Sequence, residues 1–110
     1  MLYLLGGRLA RPRPGGDYAV SVITEMELLS FPNLTPTEEA CIRQFIANVT
    51  LIELSAPVRA IAIELRRAHR LKLPDAAIAA SAMSMGAELL SNDERLVRTP
   101  GLRCRSVAVV

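Results

Sequence analysis

The sequence is poor in the residues that serve several common chemistries. Its 110 residues include no tryptophan, one histidine and two cysteines, and aromatic residues make up 4%. A Ser-His-Asp or Cys-His catalytic arrangement would have to use His69, which lies late in a basic helical stretch, so we do not expect one. Cys41 and Cys104 supply neither a disulfide framework nor a paired-cysteine metal site. Both lie in apolar-rich segments, and we expect small core residues in a reducing compartment.

Long apolar runs and nucleotide-binding motifs are also missing. No run reaches the roughly 18 residues that a membrane span needs. Residues 1–5 are apolar, but they lack the basic start and the length of a signal peptide. The sequence contains no G-x-G-x-x-G, G-x-x-x-x-G-K-[ST] or H-E-x-x-H pattern. We therefore expect a cytoplasmic protein with no membrane partner.

What is present is the composition of one globular domain. Hydrophobic residues make up 51% of the chain and charged residues 22%, which excludes a disordered chain. The length suits a single domain over residues 1–110 with one aliphatic core. The net charge of +2 is too small to indicate a nucleic-acid-binding protein by itself.

Short β-branched or apolar runs alternate with helical patterns along the chain. Strands are predicted at 18–23, 49–54, 87–90 and 103–109, and helices at 25–31, from Pro36 onwards, at 56–70 and from Pro74 to about Met85. Thr24 is a candidate N-cap with Glu27 three residues on, the spacing of a capping box. The alternation predicts an α/β three-layer sandwich with a mainly parallel sheet.

Three acidic residues follow the strands or open a helix at the carboxyl edge of this sheet. They are Glu27, Asp75 and Asp93. Each has an ordinary explanation, as a capping-box acid, a helix-dipole partner and a turn residue. Together they would repel one another unless a cation compensated their charge. Oxygen-rich sites of this kind suit Mg²⁺ or Mn²⁺, which can lower the pKa of a bound water and so hydrolyse a phosphodiester.

Three segments carry a resemblance to a known family. They read SVITEMELL at 21–29, LKLPDAAIAA at 71–80 and LLSNDERL at 89–96. In these motifs, their order and their spacing, the sequence resembles the PIN domain, in particular the VapC-type ribonuclease toxins of bacterial toxin–antitoxin pairs. The second motif is the most specific of the three.

The resemblance implies a catalytic and metal-binding set. Glu27 matches the glutamate of the family's T-x-x-E-L motif, Asp75 the aspartate that opens the alanine-rich helix, and Asp93 the acid after the fourth strand. The supporting polar groups are Thr24, Ser91 and Asn92. The resemblance further implies RNA cleavage that depends on Mg²⁺ or Mn²⁺, a homodimer, and a cognate antitoxin protein as inhibitor.

Basic residues are concentrated at 66–72, just before Asp75. Cations are favoured at a helix C-terminus, but five basic side chains in seven residues exceed what a cap requires. We expect RNA-phosphate binding by Arg66, Arg67, Arg70 and Lys72.

The sequence departs from the family pattern at its start. The family begins with a strand, the middle one of its sheet, that ends in an aspartate of an Asp-Thr-Asn-type motif. No acidic residue precedes Asp17 here, and residues 1–7 look like the helix that follows that strand. We therefore expect the first strand and its aspartate to be missing, through truncation or through degeneration of the gene.

Three functions remain open at this point. The first is a metal-dependent endoribonuclease of toxin–antitoxin type, with activity impaired by the missing aspartate. The second is a catalytically inactive PIN-like module that binds an antitoxin or a second copy of itself. The third is a small α/β domain whose acids are only caps, in which case amide substitutions should lower stability by about 0.5–2 kcal/mol.

Overall fold

The computed structural model describes residues 2–5, 17–90, 101–102 and 104–105. Strands and helices alternate in it as the sequence predicts. The strands are β1 (Leu2–Leu5), β2 (Asp17–Ser21), β3 (Thr50–Ile52), β4 (Glu88–Leu90) and β5 (Cys104–Arg105). The helices are α1 (Val22–Leu29), α2 (Pro36–Ala47), α3 (Ala56–His69) and α4 (Leu73–Ser84).

The five described strands form one sheet in the order β3-β2-β1-β4-β5. Each neighbouring pair is parallel. Since parallel strands end at the same edge, the segments that follow Leu5, Ser21, Ile52 and Leu90 all leave from one side of the sheet. In such sheets the functional groups lie beyond this carboxyl edge.

Each face of the sheet packs in a separate cluster of buried residues. Leu4 of β1 is in register with Ala19 and Leu89, and these three pack with the buried residues of α3 and α4. Leu5, one residue on, belongs to a second cluster with Val20 and Leu90, against which Phe45 of α2 packs. Because successive strand residues face opposite ways, the sheet is covered on both sides. The α/β three-layer prediction is confirmed.

The middle of the sheet differs from the sequence prediction. We expected residues 1–7 to correspond to the helix after a missing middle strand, but Leu2–Leu5 forms β1 between β2 and β4. Leu4 and Leu5 are fully buried. A short run of apolar residues has no period that separates a strand from a helix. Residues 2–5 form a strand because β2 and β4 each have an open edge on this side. β1 forms the hydrogen bonds that both edges need.

The first helix begins earlier than predicted. The prediction made Thr24 the N-cap of a helix over 25–31, yet the cap is Ser21, whose side chain accepts a hydrogen bond from the Ile23 backbone N–H at 3.1 Å. Ser21 is also the last residue of β2, so the strand passes directly into α1. Val22 and Ile23 are helical although their β-branched side chains favour strands.

The remaining helices begin and end close to their predicted bounds. Thr35 and Glu38 form the reciprocal capping box of α2. Pro74 and Asp75 lie in the first turn of α4, and Gly86 follows its end at a φ of 61°, a left-handed conformation that glycine adopts without strain. Cys41 is exposed, so its predicted place in the core is wrong. Within the part of the chain that the structure covers, no helix is both long and apolar enough to span a membrane.

Candidate metal site and basic groove

Glu27 and Asp75 come from different helices and meet. Glu27 lies near the end of α1, and Asp75 lies in the first turn of α4, which packs against α1. Partial burial of the Glu27 carboxyl raises its pKa above the ordinary value of 4.5, and the negative charge of Asp75 raises it further. The packing of α1 against α4 therefore brings the two acids close enough for their charges to interact.

The ordinary explanation of Glu27 as a capping acid is wrong. With Ser21 as the N-cap of α1, a capping-box acid would have to be residue 24. Glu27 lies almost a full turn further along the helix, beyond the reach of its first N–H groups. The position of this carboxylate therefore needs another explanation than capping.

Thr24 lies one turn before Glu27 on the same helix face. Its side chain is fully buried, and its Oγ1 has no hydrogen-bond partner among the described residues. A buried hydroxyl without a partner costs roughly 1–3 kcal/mol. An orphaned hydroxyl on the helix face that carries Glu27 is a polar group that a bound ion or its water could satisfy.

The described residues include two of the three acids predicted to bind a metal. No group of three His, Cys, Asp or Glu side chains within the described ranges converges to hold a metal ion. Asp93, Ser91 and Asn92 lie outside those ranges, and so the predicted third ligand and its two supporting groups stay predictions. Glu27 and Asp75 offer carboxylate oxygens, which fit Mg²⁺ or Mn²⁺ rather than a softer metal.

Three of the four predicted phosphate-binding residues line one groove. Arg66, Arg67 and Arg70 border an open cavity of about 470 Å³ together with Ile63 and Leu71. Lys72 does not line this groove and is instead the N-cap residue of α4. The three arginines are exposed, so their guanidinium groups are accessible to a ligand.

Sequence reasoning overlooked Ile63 as part of this groove. Val58, Ala62 and Leu65 are buried in the core, and Ile61 packs against it. Ile63 lies off that stripe and is 56% exposed. The sequence does indicate that Ile63 shares a helix face with the three arginines, since positions 63, 66, 67 and 70 follow the i, i+3, i+4, i+7 pattern.

Comparisons with known proteins agree with this architecture. A family model described as the PIN domain matches residues 6–102. A chain of DNA-bound VapBC from Salmonella typhimurium superposes with a TM-score of 0.82 at 21% identity, over 96% of this chain and 98% of that chain. A chain of VapBC2 from Rickettsia felis, bound to a promoter DNA fragment, gives 0.77 at 19% identity, with coverage of 96% and 98%.

A chain of a toxin–antitoxin complex from Klebsiella pneumoniae is 28% identical, with a TM-score of 0.68 over 84% of this chain and 73% of that chain. No curated protein matches the chain significantly. The parallel sheet and its two helical layers define an α/β three-layer domain. The chain belongs to the PIN domain family.

Proposed function

We propose that this protein is a metal-dependent endoribonuclease of toxin–antitoxin type. The observation that carries the proposal is the packing of α1 against α4, which places Glu27 where burial and then the charge of Asp75 raise the pKa of its carboxyl. Membership of the PIN family supports the nuclease class. RNA as the substrate is what the resemblance to the VapC-type toxins implies, and the free cysteines Cys41 and Cys104 fit a reducing cytoplasm.

In the proposed site, Glu27, Asp75 and Asp93 hold Mg²⁺ or Mn²⁺. A divalent ion among carboxylates supplies an activated water and stabilises charge on a phosphate oxygen. Asp75 opens α4, where the positive end of the helix dipole steadies its charge. The buried Thr24 hydroxyl, with Ser91 and Asn92, is a supporting polar group of the proposed site.

The proposed partners are a cognate antitoxin protein and a second copy of this chain. Solved structures with the same fold come from toxin–antitoxin complexes, among them those of Klebsiella pneumoniae and Salmonella typhimurium. An antitoxin would keep the nuclease inactive until it is released. The basic residues Arg66, Arg67, Arg70 and Lys72 would position the RNA backbone through its phosphates.

RNA cleavage in Mg²⁺ or Mn²⁺ tests the proposal. We expect cleavage that stops in EDTA and that falls by at least about 100-fold in Asp75→Asn, since a lost metal ligand removes most transition-state stabilisation. Glu64→Gln, an exposed acid on α3, is the matched control and should keep full activity. Cleavage that persists in EDTA, or that ignores the Asp75 substitution, would refute the proposal.

A second candidate is a PIN-like binding module without activity. The observation that favours it is the absence of any acidic residue before Asp17, where the family has a central metal ligand. Tight partner binding in EDTA, together with no cleavage in either metal, would support this module over the nuclease. Metal binding that is lost in Asp93→Asn would count against it.

A further inference from the structure

The groove on α3 concentrates positive charge that the described part of the chain does not neutralise. The only ion pair among the described residues joins Arg43 to Glu39 on α2, so no carboxylate within that part of the chain pairs with the three groove arginines. The Nε of Arg66 donates to the Leu71 backbone carbonyl at 3.3 Å. That bond orients the guanidinium and leaves its terminal nitrogens for a ligand, so the groove is prepared for an anion.

The groove also has an apolar side, which a site for phosphate alone does not need. Ile63 and Leu71 line it beside the arginines. Its volume of about 470 Å³ falls within the roughly 300–1,000 Å³ typical of ligand pockets. A ligand that uses the whole groove therefore combines an anionic group with a flat or apolar body.

We infer that the groove binds a phosphorylated nucleoside unit. Its phosphate lies on the guanidinium groups, which bind phosphate in a bidentate manner and also stack on flat rings. Its base or ribose lies against Ile63. Two sources offer this chemistry: an unpaired nucleotide of an RNA strand, or a free mononucleotide.

The path from the groove to the carboxylates favours the RNA strand, and this choice of source rests on the proposed function. Arg70 ends α3, and Asp75 is five residues further along the chain, so at most about 18 Å separates their Cα atoms. Lys72 lies between them as the N-cap of α4. A strand anchored in the groove would place a phosphate a few nucleotides away at Glu27 and Asp75.

Binding measured in EDTA tests the groove apart from cleavage. The probes are a fluorescent single-stranded oligouridine, adenosine monophosphate and inorganic phosphate, each titrated into the full chain. Arg67→Gln should weaken oligonucleotide binding about fivefold at 0.1 M salt and make the salt dependence shallower by about 0.7 per lost phosphate contact. Arg43→Gln removes the same charge from α2 and should change neither quantity.

Ile63→Ala separates a nucleoside site from a simple phosphate site. It should weaken adenosine monophosphate and leave inorganic phosphate unchanged. Oligouridine that outcompetes the mononucleotide assigns the groove to RNA, and the reverse order assigns it to a free nucleotide. Equal losses in Arg67→Gln and Arg43→Gln, or displacement only by an acidic peptide, would overturn the inference. The cleavage assay with Asp75→Asn tests the nuclease proposal, and the binding assay in EDTA tests the groove. Either proposal can therefore fail while the other holds.

Discussion

Two acidic side chains from packed helices, Glu27 and Asp75, lie close enough for their charges to interact. The pKa of Glu27 is raised by partial burial and by the charge of Asp75. A carboxyl whose folded-state pKa is raised stabilises the fold below its ordinary pKa of 4.5, and this contribution is lost as pH rises through the raised value. At neutral pH the ionised Glu27 therefore lowers the stability of the metal-free protein, through its partial burial and through repulsion by Asp75. Unfolding relieves both effects.

Removing that charge should stabilise the metal-free protein. We expect Glu27→Gln in EDTA to raise Tm near pH 7 by about 1–2 °C, a small effect because solvent screens an exposed carboxylate. The gain should disappear as pH falls below 4.5, the ordinary pKa, where both proteins are neutral at this position. Thermal melts across this pH range measure it, with Glu64→Gln on α3 as the control.

A loss of stability in Glu27→Gln would instead favour a purely structural carboxylate.

For single residues, the sequence predicted which acids lie near each other better than it predicted the local geometry of α1. It placed Glu27 and Asp75 in one site, yet it assigned the cap of α1 to Thr24 because Ser21 and Thr24 are both good N-cap residues. The buried end of β2 decided between them, and the sequence does not contain that information locally.

Among the helices, α4 is enclosed to an unusual degree. Its seven consecutive residues 76–82 are all buried, and five of them are alanine. Small side chains let the sheet and α3 approach closely, so the helix that presents Asp75 is held on several sides. Interiors packed at crystal-like density accept little added volume.

Enlarging one of these alanines should therefore be costly. Ala80→Leu, at a fully buried position, should lower the free energy of unfolding by about 1–3 kcal/mol through overpacking. Ala60→Leu, at an exposed position of α3, should change it by less than about 0.5 kcal/mol. Urea denaturation measures both, and equal effects at the two positions would contradict the packing of α4.

The helix bounds were predictable where local signals are strong. Pro74, Asp75 and Gly86 mark the two ends of α4, and the Thr35–Glu38 box marks the start of α2. These signals act within a few residues, so no tertiary contact overrides them. The exposed Ile63 and the groove that it lines were not predicted, because the apolar residues that mark the buried face of α3 lie on the opposite side of the helix.

For the whole molecule, the short central strand is the main difference from expectation. β1 pairs with β2 on one side and β4 on the other, and its two innermost residues serve different core layers. A strand in that position connects the two halves of the sheet. Its identity depends on contacts distant in the sequence, and for that reason the four apolar residues could not be assigned from their own pattern.

Truncating one of those side chains should destabilise the entire fold. Leu5→Ala, at a fully buried site, should cost about 2–5 kcal/mol, whereas Leu73→Ala, 59% exposed on α4, should cost far less. Denaturant unfolding of both variants measures the difference. Similar midpoints for the two would contradict a middle strand at Leu2–Leu5.

The central claim is that Glu27 and Asp75 belong to one divalent-metal site. Titration of Mn²⁺ into the metal-free protein, followed by calorimetry, tests it most directly. We predict saturable binding that is lost in Asp75→Asn and in Glu27→Gln and retained in Glu64→Gln, with a rise in Tm on binding. Equal Mn²⁺ binding by the wild type and Asp75→Asn, or no saturable binding by the wild type, would contradict the account.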